Sequence, residues 1–237
     1  MDTKLEKPAM PIAIQAEDAA KVNRRKFLSY AGMAAATAAA LYACKKDDNN
    51  MSTAPAGSID LGKGDVGILN YAYALEQLEA AFYTAVIASP YAGITTAELA
   101  LLTDIRDHEI AHREFFKTAL KTNAIPGLEV NFSAINFSNR ASVLATAKTF
   151  EDLGVAAYNG AGKLIVDGGN LLLAGKIVSV EARHAALIRD LISNGTFADS
   201  TVIDADGLDG AKSPDIVLAA AKPFLKSVLW GGNLPKQ

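Results

Sequence analysis

Thiols are all but missing from this sequence. Cys44 is the only cysteine, so no disulfide can form within the chain. No Cys-x-x-Cys pair exists, which excludes a zinc ribbon, a rubredoxin-type iron site and a thioredoxin-like dithiol. Aromatic residues make up 7% of the chain, whereas alanine is plentiful, and that balance favours helices over sheets. No basic stripe occurs beyond the first 50 residues, so nucleic-acid binding has little support. Only three histidines are present, which makes the position of each informative.

The first fifty residues read as an address. Asn23-Arg24-Arg25-Lys26-Phe27-Leu28 opens an Ala-rich apolar run that reaches Ala43. At about 17 residues the run is shorter than the roughly 20 a spanning helix needs, and it fits a signal-peptide core. The paired arginines before Phe-Leu resemble a twin-arginine (Tat) export signal. Leu41-Tyr42-Ala43-Cys44 resembles a lipobox, in which Cys44 is lipidated and becomes the new N-terminus. Lys45-Lys46-Asp47-Asp48 then reads either as a sorting signal of the kind found in some surface lipoproteins or as a plain solvated tether. Residues 1–43 are thus expected to be a signal peptide, and 44–64 a lipidated cysteine with a flexible tether. The expected location is the periplasm or cell surface, with a lipid anchor in the membrane. Cleavage at residue 43 removes six Lys/Arg and four Asp/Glu, leaving 17 positive and 22 negative residues and a formal charge of −5.

The remainder predicts an all-α fold. Ile68, Leu75, Leu78, Phe82 and Val86 recur at helical spacing in residues 65–89, and Pro90 stops that helix. Thr95-x-x-Glu98 reads as a capping box for a second helix reaching about Thr122. Ser138 is placed to cap a third, running to about Val166. Asp167-Gly168-Gly169 is turn chemistry, and a fourth helix spans roughly 170–193 before Asn194-Gly195. The first and last pairs are joined by short loops and should form antiparallel hairpins. The middle connection, about 15 residues, reaches roughly 50 Å when extended. That exceeds the ~37 Å of a 25-residue helix, so it can run the length of a bundle. Residues 195–237 are expected to be a tail carrying a short helix that starts at Ser213-Pro214-Asp215 and is kinked by Pro223.

Two of the three histidines fall in matching tetrapeptides: Glu109-Ile110-Ala111-His112 on the second helix and Glu181-Ala182-Arg183-His184 on the fourth. Residues at i and i+3 share a helical face. The first helix holds Glu76 with Tyr83 seven residues on, and the third holds Glu151 with Tyr158 seven residues on. Two turns separate each such pair, so glutamate and tyrosine also share a face. The chain reads as two similar hairpins, each Glu-x₆-Tyr followed by Glu-x-x-His, with the glutamates at one level. Charges buried alone cost several kcal/mol each, and bound cations would remove that cost. Glu79 competes with Glu76 for the position on the first helix. His108 points about 100° away from Glu109 and is expected on the outside. Asp152 and Glu114 are expected to be solvated. Gly160-Ala161-Gly162-Lys163 mimics a phosphate loop without its Ser/Thr and reads as close helix packing. Asp204-Ala205-Asp206-Gly207 mimics a calcium loop but reads as an acidic turn.

One Glu from each of two helices and Glu-x-x-His from each of two others is the constellation of ferritin-like di-metal carboxylate proteins. The sequence resembles that superfamily over about residues 65–194, with the single long crossover its topology requires. Leu75-Glu76-Gln77-Leu78-Glu79-Ala80 and Glu181-Ala182-Arg183-His184-Ala185-Ala186 look like the bacterial and fungal ferritin-like family called desiccation-related. The resemblance implies two bound metal ions held by Glu76, Glu109, His112, Glu151, Glu181 and His184. Glu109 and Glu181 would bridge, and Tyr83 and Tyr158 would hydrogen-bond ligand carboxylates. It further implies iron, with manganese as the alternative, and dioxygen or peroxide as small-molecule substrates. Ferroxidase, peroxidase, catalase and oxygenase activities all occur on this fold, which does not choose among them. Any electron donor would be a separate molecule. A stress-defence redox protein and a non-catalytic, metal-stabilised envelope protein both fit the sequence. The anchor and tail favour at most a homodimer over a shell.

Overall fold

The structure, a computed structural model, describes residues 52–236. The export signal, the lipobox and Cys44 lie outside the described residues. Four long helices dominate: α1 (Gly64–Ala88), α2 (Thr96–Leu120), α3 (Arg140–Gly162) and α4 (Gly168–Ile192). A short α5 (Pro214–Ala221) follows, and strands β1 (Ser58–Asp60) and β2 (Val228–Trp230) form a two-stranded parallel pair. None of the described helices is long and apolar enough to cross a membrane. The helices pair as α1 with α2 and α3 with α4, and the two hairpins meet through α1 against α3. This is the all-α bundle with one long crossover that the loop lengths predict.

Local chemistry explains the helix ends. The Thr95 hydroxyl accepts from the Glu98 N–H and starts α2. Glu98 does not complete a capping box: its carboxylate accepts instead from Tyr91 and Arg140, joining the α1–α2 loop to α3. Asn139, not Ser138, caps α3 through the Ser142 N–H. The Asp167 side chain caps α4, and Asp65 accepts from the N–H groups of Val166 and Asp167. Thus α3 ends at Gly162, earlier than expected, because the chain turns there to meet α1. Pro223 lies not within α5 but in the 3₁₀ turn Lys222–Phe224 that follows it, since its ring removes a helical donor.

α1 is buried nearly all round because the crossover lies along its outer face. Asn70 accepts from the Ile125 N–H and donates to the carbonyls of Asn123 and Leu61. Gln77 accepts from the Leu128 N–H. Further along, Phe82 packs against Phe132, Phe137 and Phe150. Side-chain amides thereby satisfy a loop that has few ladder partners of its own. The predicted apolar stripe of α1 is all core.

Two expectations need correction. The stretch 44–64 is not all tether: residues 58–60 pair with β2, and Leu61 is fully buried. Asp152 is not solvated. It accepts both 2.7 Å bonds of a bidentate pair with the buried Arg189, which also donates to Asp199 and Thr201 and so holds the tail against the bundle. The calcium-like loop is the acidic turn expected, with the Asp204 carboxylate folded onto the N–H groups of Asp206 and Leu208.

Gly160 serves the tail rather than helix packing. The backbone of Lys212 crosses α3 there, donating to the Ala156 carbonyl at 2.9 Å, and a Cβ on Gly160 would collide with the Lys212 carbonyl. Gly160→Ala is therefore expected to cost about 1–3 kcal/mol, seen in thermal melting as a Tm lower by several degrees. Gly162→Ala, where a Cβ meets only Leu171 at 3.8 Å, should move it far less.

Candidate metal centre

Glu76, Glu109, Glu151 and Glu181 project from the middles of the four helices into one space and are at most 1% exposed. His112 and His184 join them from α2 and α4. The contacts cross between hairpins. His112 Nδ1 lies 2.8 Å from Glu181 Oε1, 3.4 Å from Glu76 Oε2 and 3.9 Å from Glu109 Oε2. His184 Nδ1 lies 2.8 Å from Glu109 Oε1, 3.3 Å from Glu181 Oε2 and 3.5 Å from Glu151 Oε2. Glu109 and Glu181 each turn one oxygen to each histidine. Two quartets result, Glu76/Glu109/His112/Glu181 and Glu109/Glu151/Glu181/His184, and each could hold a metal ion.

These short N···O distances are not hydrogen bonds. Eight buried atoms of the cluster have no aligned partner: Glu76 Oε2, Glu151 Oε2, both oxygens of Glu109 and of Glu181, and Nδ1 of His112 and of His184. They fall into two sets of four, the atoms of each set lying within 4.8 Å of one another. The remaining oxygens of the outer glutamates are satisfied, since Tyr158 donates to Glu76 Oε1 and Tyr83 to Glu151 Oε1. Burial and these same carboxylates hold both phenols well above their ordinary pKa, so they stay protonated and remain donors. Charge also fits, because four carboxylates beside neutral imidazoles carry −4 and two divalent cations carry +4.

Without cations, protons take their place. Burial, then Glu181, pushes Glu76 well above the carboxylate range. Burial raises Glu151 to about 8. For Glu109 burial acts upward, but His112 and His184 prevail and hold it at about 2. Burial acts downward on the histidines, yet the surrounding glutamates push both up to about 12.

Glu79 is buried, but it is not in either quartet. Its carboxylate rests against Gly154 of α3, where a Cβ would come within 3.2 Å of Oε1. Burial first, then the four clustered glutamates, raises its pKa strongly and keeps it protonated. Glu76 and not Glu79 is the α1 member of the cluster.

His108 carries a contact that the sequence reading missed. It is exposed on α2, yet its Nδ1 lies 2.9 Å from His184 Nε2, with the two rings parallel to within 7°. It covers the outer nitrogen of a cluster histidine, the kind of contact that fixes the tautomer and orientation of a metal-binding imidazole. The available signal was its spacing from His112. Residues at i and i+4 share a face, so His108 looks towards α4 as His112 does.

Bundle and site together define a helical protein built around paired carboxylate–imidazole quartets. A family model described as the ferritin-like domain matches residues 64–194. The match spans more than half of the chain, which therefore belongs to the ferritin-like domain family. No curated protein matches it.

Protonation gives the cluster a testable pH signature. Glu151 titrates at about 8 when folded, against an ordinary 4.5, so in the chelated protein its stabilising protonation is complete below about 4.5 and lost as pH rises through about 8. Bound cations displace the proton and remove that loss. The stability gap between metal-loaded and chelated protein is expected to widen from pH 5 to pH 8, by about 1.4 kcal/mol per pH unit for each proton displaced, and the gap in Tm to widen with it. Differential scanning calorimetry of both forms measures it, and a constant gap would contradict this protonation scheme.

Proposed function

We propose that this chain is an exported ferritin-like protein that holds two metal ions, iron before manganese, and uses them to oxidise Fe(II) or reduce peroxide in stress defence. The observation that carries the reading is the set of eight unpartnered ligand atoms, divided four and four with two carboxylates common to both. Hard oxygen donors with one imidazole per ion suit iron and manganese better than soft metals. Two ferrous ions held by Glu76, Glu109, His112, Glu151, Glu181 and His184 would supply two electrons, enough with two protons to take one hydrogen peroxide to two waters.

The chain's own residues set the conditions for that chemistry. Glu109 and Glu181 fix the spacing between the two positions. Tyr83 and Tyr158 hold the outer glutamates in place, a contribution of about 10–100-fold to metal affinity in sites of this kind. Burial keeps bulk water out and strengthens every charge interaction inside. With its single cysteine proposed to be acylated, the chain has no thiol to return electrons, so the reading calls for a separate donor. Export by a Tat-type signal and anchoring through Cys44 rest on the sequence pattern of residues 23–44. Export after folding would suit a protein loaded with metal beforehand.

The alternative, metals kept for stability alone, is separated by one variant. His112→Ala/His184→Ala should abolish oxidation of added Fe(II) and consumption of peroxide, followed by absorbance and by peroxide assay. If the wild-type protein loads with iron but turns over neither substrate, and the variant loses only thermal stability, the structural role is correct and the catalytic one is not.

A further inference from the structure

The two quartets are built differently on their outer sides, and the difference points to where substrate enters. The hairpins repeat with Glu76, Glu79 and Tyr83 corresponding to Glu151, Gly154 and Tyr158, 75 positions apart, and with Glu109 and His112 corresponding to Glu181 and His184, 72 apart. By the same offset His108 corresponds to Val180. His184 is covered by His108 and is 4% exposed. The position equivalent to His108 holds a valine with no polar group to offer, and the His112 side chain is 13% exposed.

His112 lines a surface bowl of about 300 Å³ between α2 and α4, together with Ala111, Phe115, Leu173, Lys176 and Ile177. Ile177 is buried beside it, and Phe115 and Leu173 are over a third exposed as its walls. Lys176 is the one charged side chain among these lining residues. The imidazole Nδ1 faces the carboxylates, so its opposite edge is the part that meets the bowl. All other members of the cluster are sealed at 4% exposure or less.

We infer that this bowl is the entry to the centre, that the quartet holding His112 is the one substrate reaches, and that the substrate admitted is a small neutral oxidant, dioxygen or hydrogen peroxide, rather than hydrated Fe(II). The inference rests on the proposed di-metal reading and narrows it, making the ions resident cofactors and not cargo. Two physical points carry it. A hydrated divalent cation crossing an apolar lining loses hydration without gaining a ligand, and such desolvation is costly. The entrance also lacks the carboxylates that would attract a cation and carries a lysine that repels one. Neither penalty applies to an uncharged molecule of two oxygen atoms.

The test uses the full chain loaded with two ferrous ions, with nitric oxide as a neutral binding probe and hydrogen peroxide as substrate. Ala111→Trp fills the bowl from an exposed wall position, and Phe115→Ala widens it. Metal content should stay at the wild-type level in both. Filling should slow nitric oxide binding and peroxide-driven oxidation at least tenfold, and widening should speed both. Nitric oxide binding and the peroxide rate should be independent of ionic strength, as for an uncharged molecule. Wild-type rates in the filled and widened variants would overturn the entry route, and a tenfold change of either rate with ionic strength would overturn the neutral substrate. Failure of the wild-type chain to retain iron would instead overturn the parent reading, a separate result.

Discussion

Six ionisable groups meet in the centre of this bundle, and the rest of the molecule is arranged around that cost. Four carboxylates are sealed from solvent within hydrogen-bond reach of two imidazoles, yet the atoms nearest one another are aimed past each other. Such an arrangement is poor as a set of salt bridges, because buried charges regain their hydration only when the geometry is good. Each of its two quartets could hold a cation. Protons relieve the cost in part, as the raised positions of Glu76 and Glu151 show, but they leave the oxygens of Glu109 and Glu181 unpartnered.

The architecture keeps those groups in place. Antiparallel hairpins set Glu76 level with Glu109 and Glu151 level with Glu181, and the α1–α3 contact brings the two pairs together. Each tyrosine donor reaches across that contact, Tyr83 from α1 to Glu151 and Tyr158 from α3 to Glu76. The crossover shields the outer face of α1 and is stitched down by Asn70 and Gln77. Departures from the internal repeat are informative for the same reason. Gly154 stands where α1 has Glu79, which makes room for one additional buried acid. Val180 stands where α2 has His108, and the His112 side chain is 13% exposed against 4% for His184.

Most of the bundle was legible because its information is periodic. Apolar stripes, caps and loop lengths follow from local chemistry, and a Glu-x-x-His repeated on two helices places ligands on one face by geometry alone. What escaped depends on contacts between distant segments. Asp152 shows no pattern that announces Arg189, 37 residues away. The tail's crossing at Gly160 depends on where Lys212 lies, and residues 58–61 look like linker until β2 is there to pair with them. His108 was set aside by its angle to Glu109, although its angle to the opposing helix decided its role. The caps shifted by one residue at Asn139 for a local reason: either side chain could start α3, and only the asparagine aligns with the Ser142 N–H.

The central claim is that the buried cluster is a pair of cation sites. Elemental analysis of the full chain after reconstitution with Fe(II) and removal of loosely bound metal tests it most directly. The account predicts two iron ions per chain, none in a chain with Glu109→Ala and Glu181→Ala, and a Tm that falls when the metal is chelated. A wild-type chain that retains no metal and melts at the same temperature with and without chelator would contradict it.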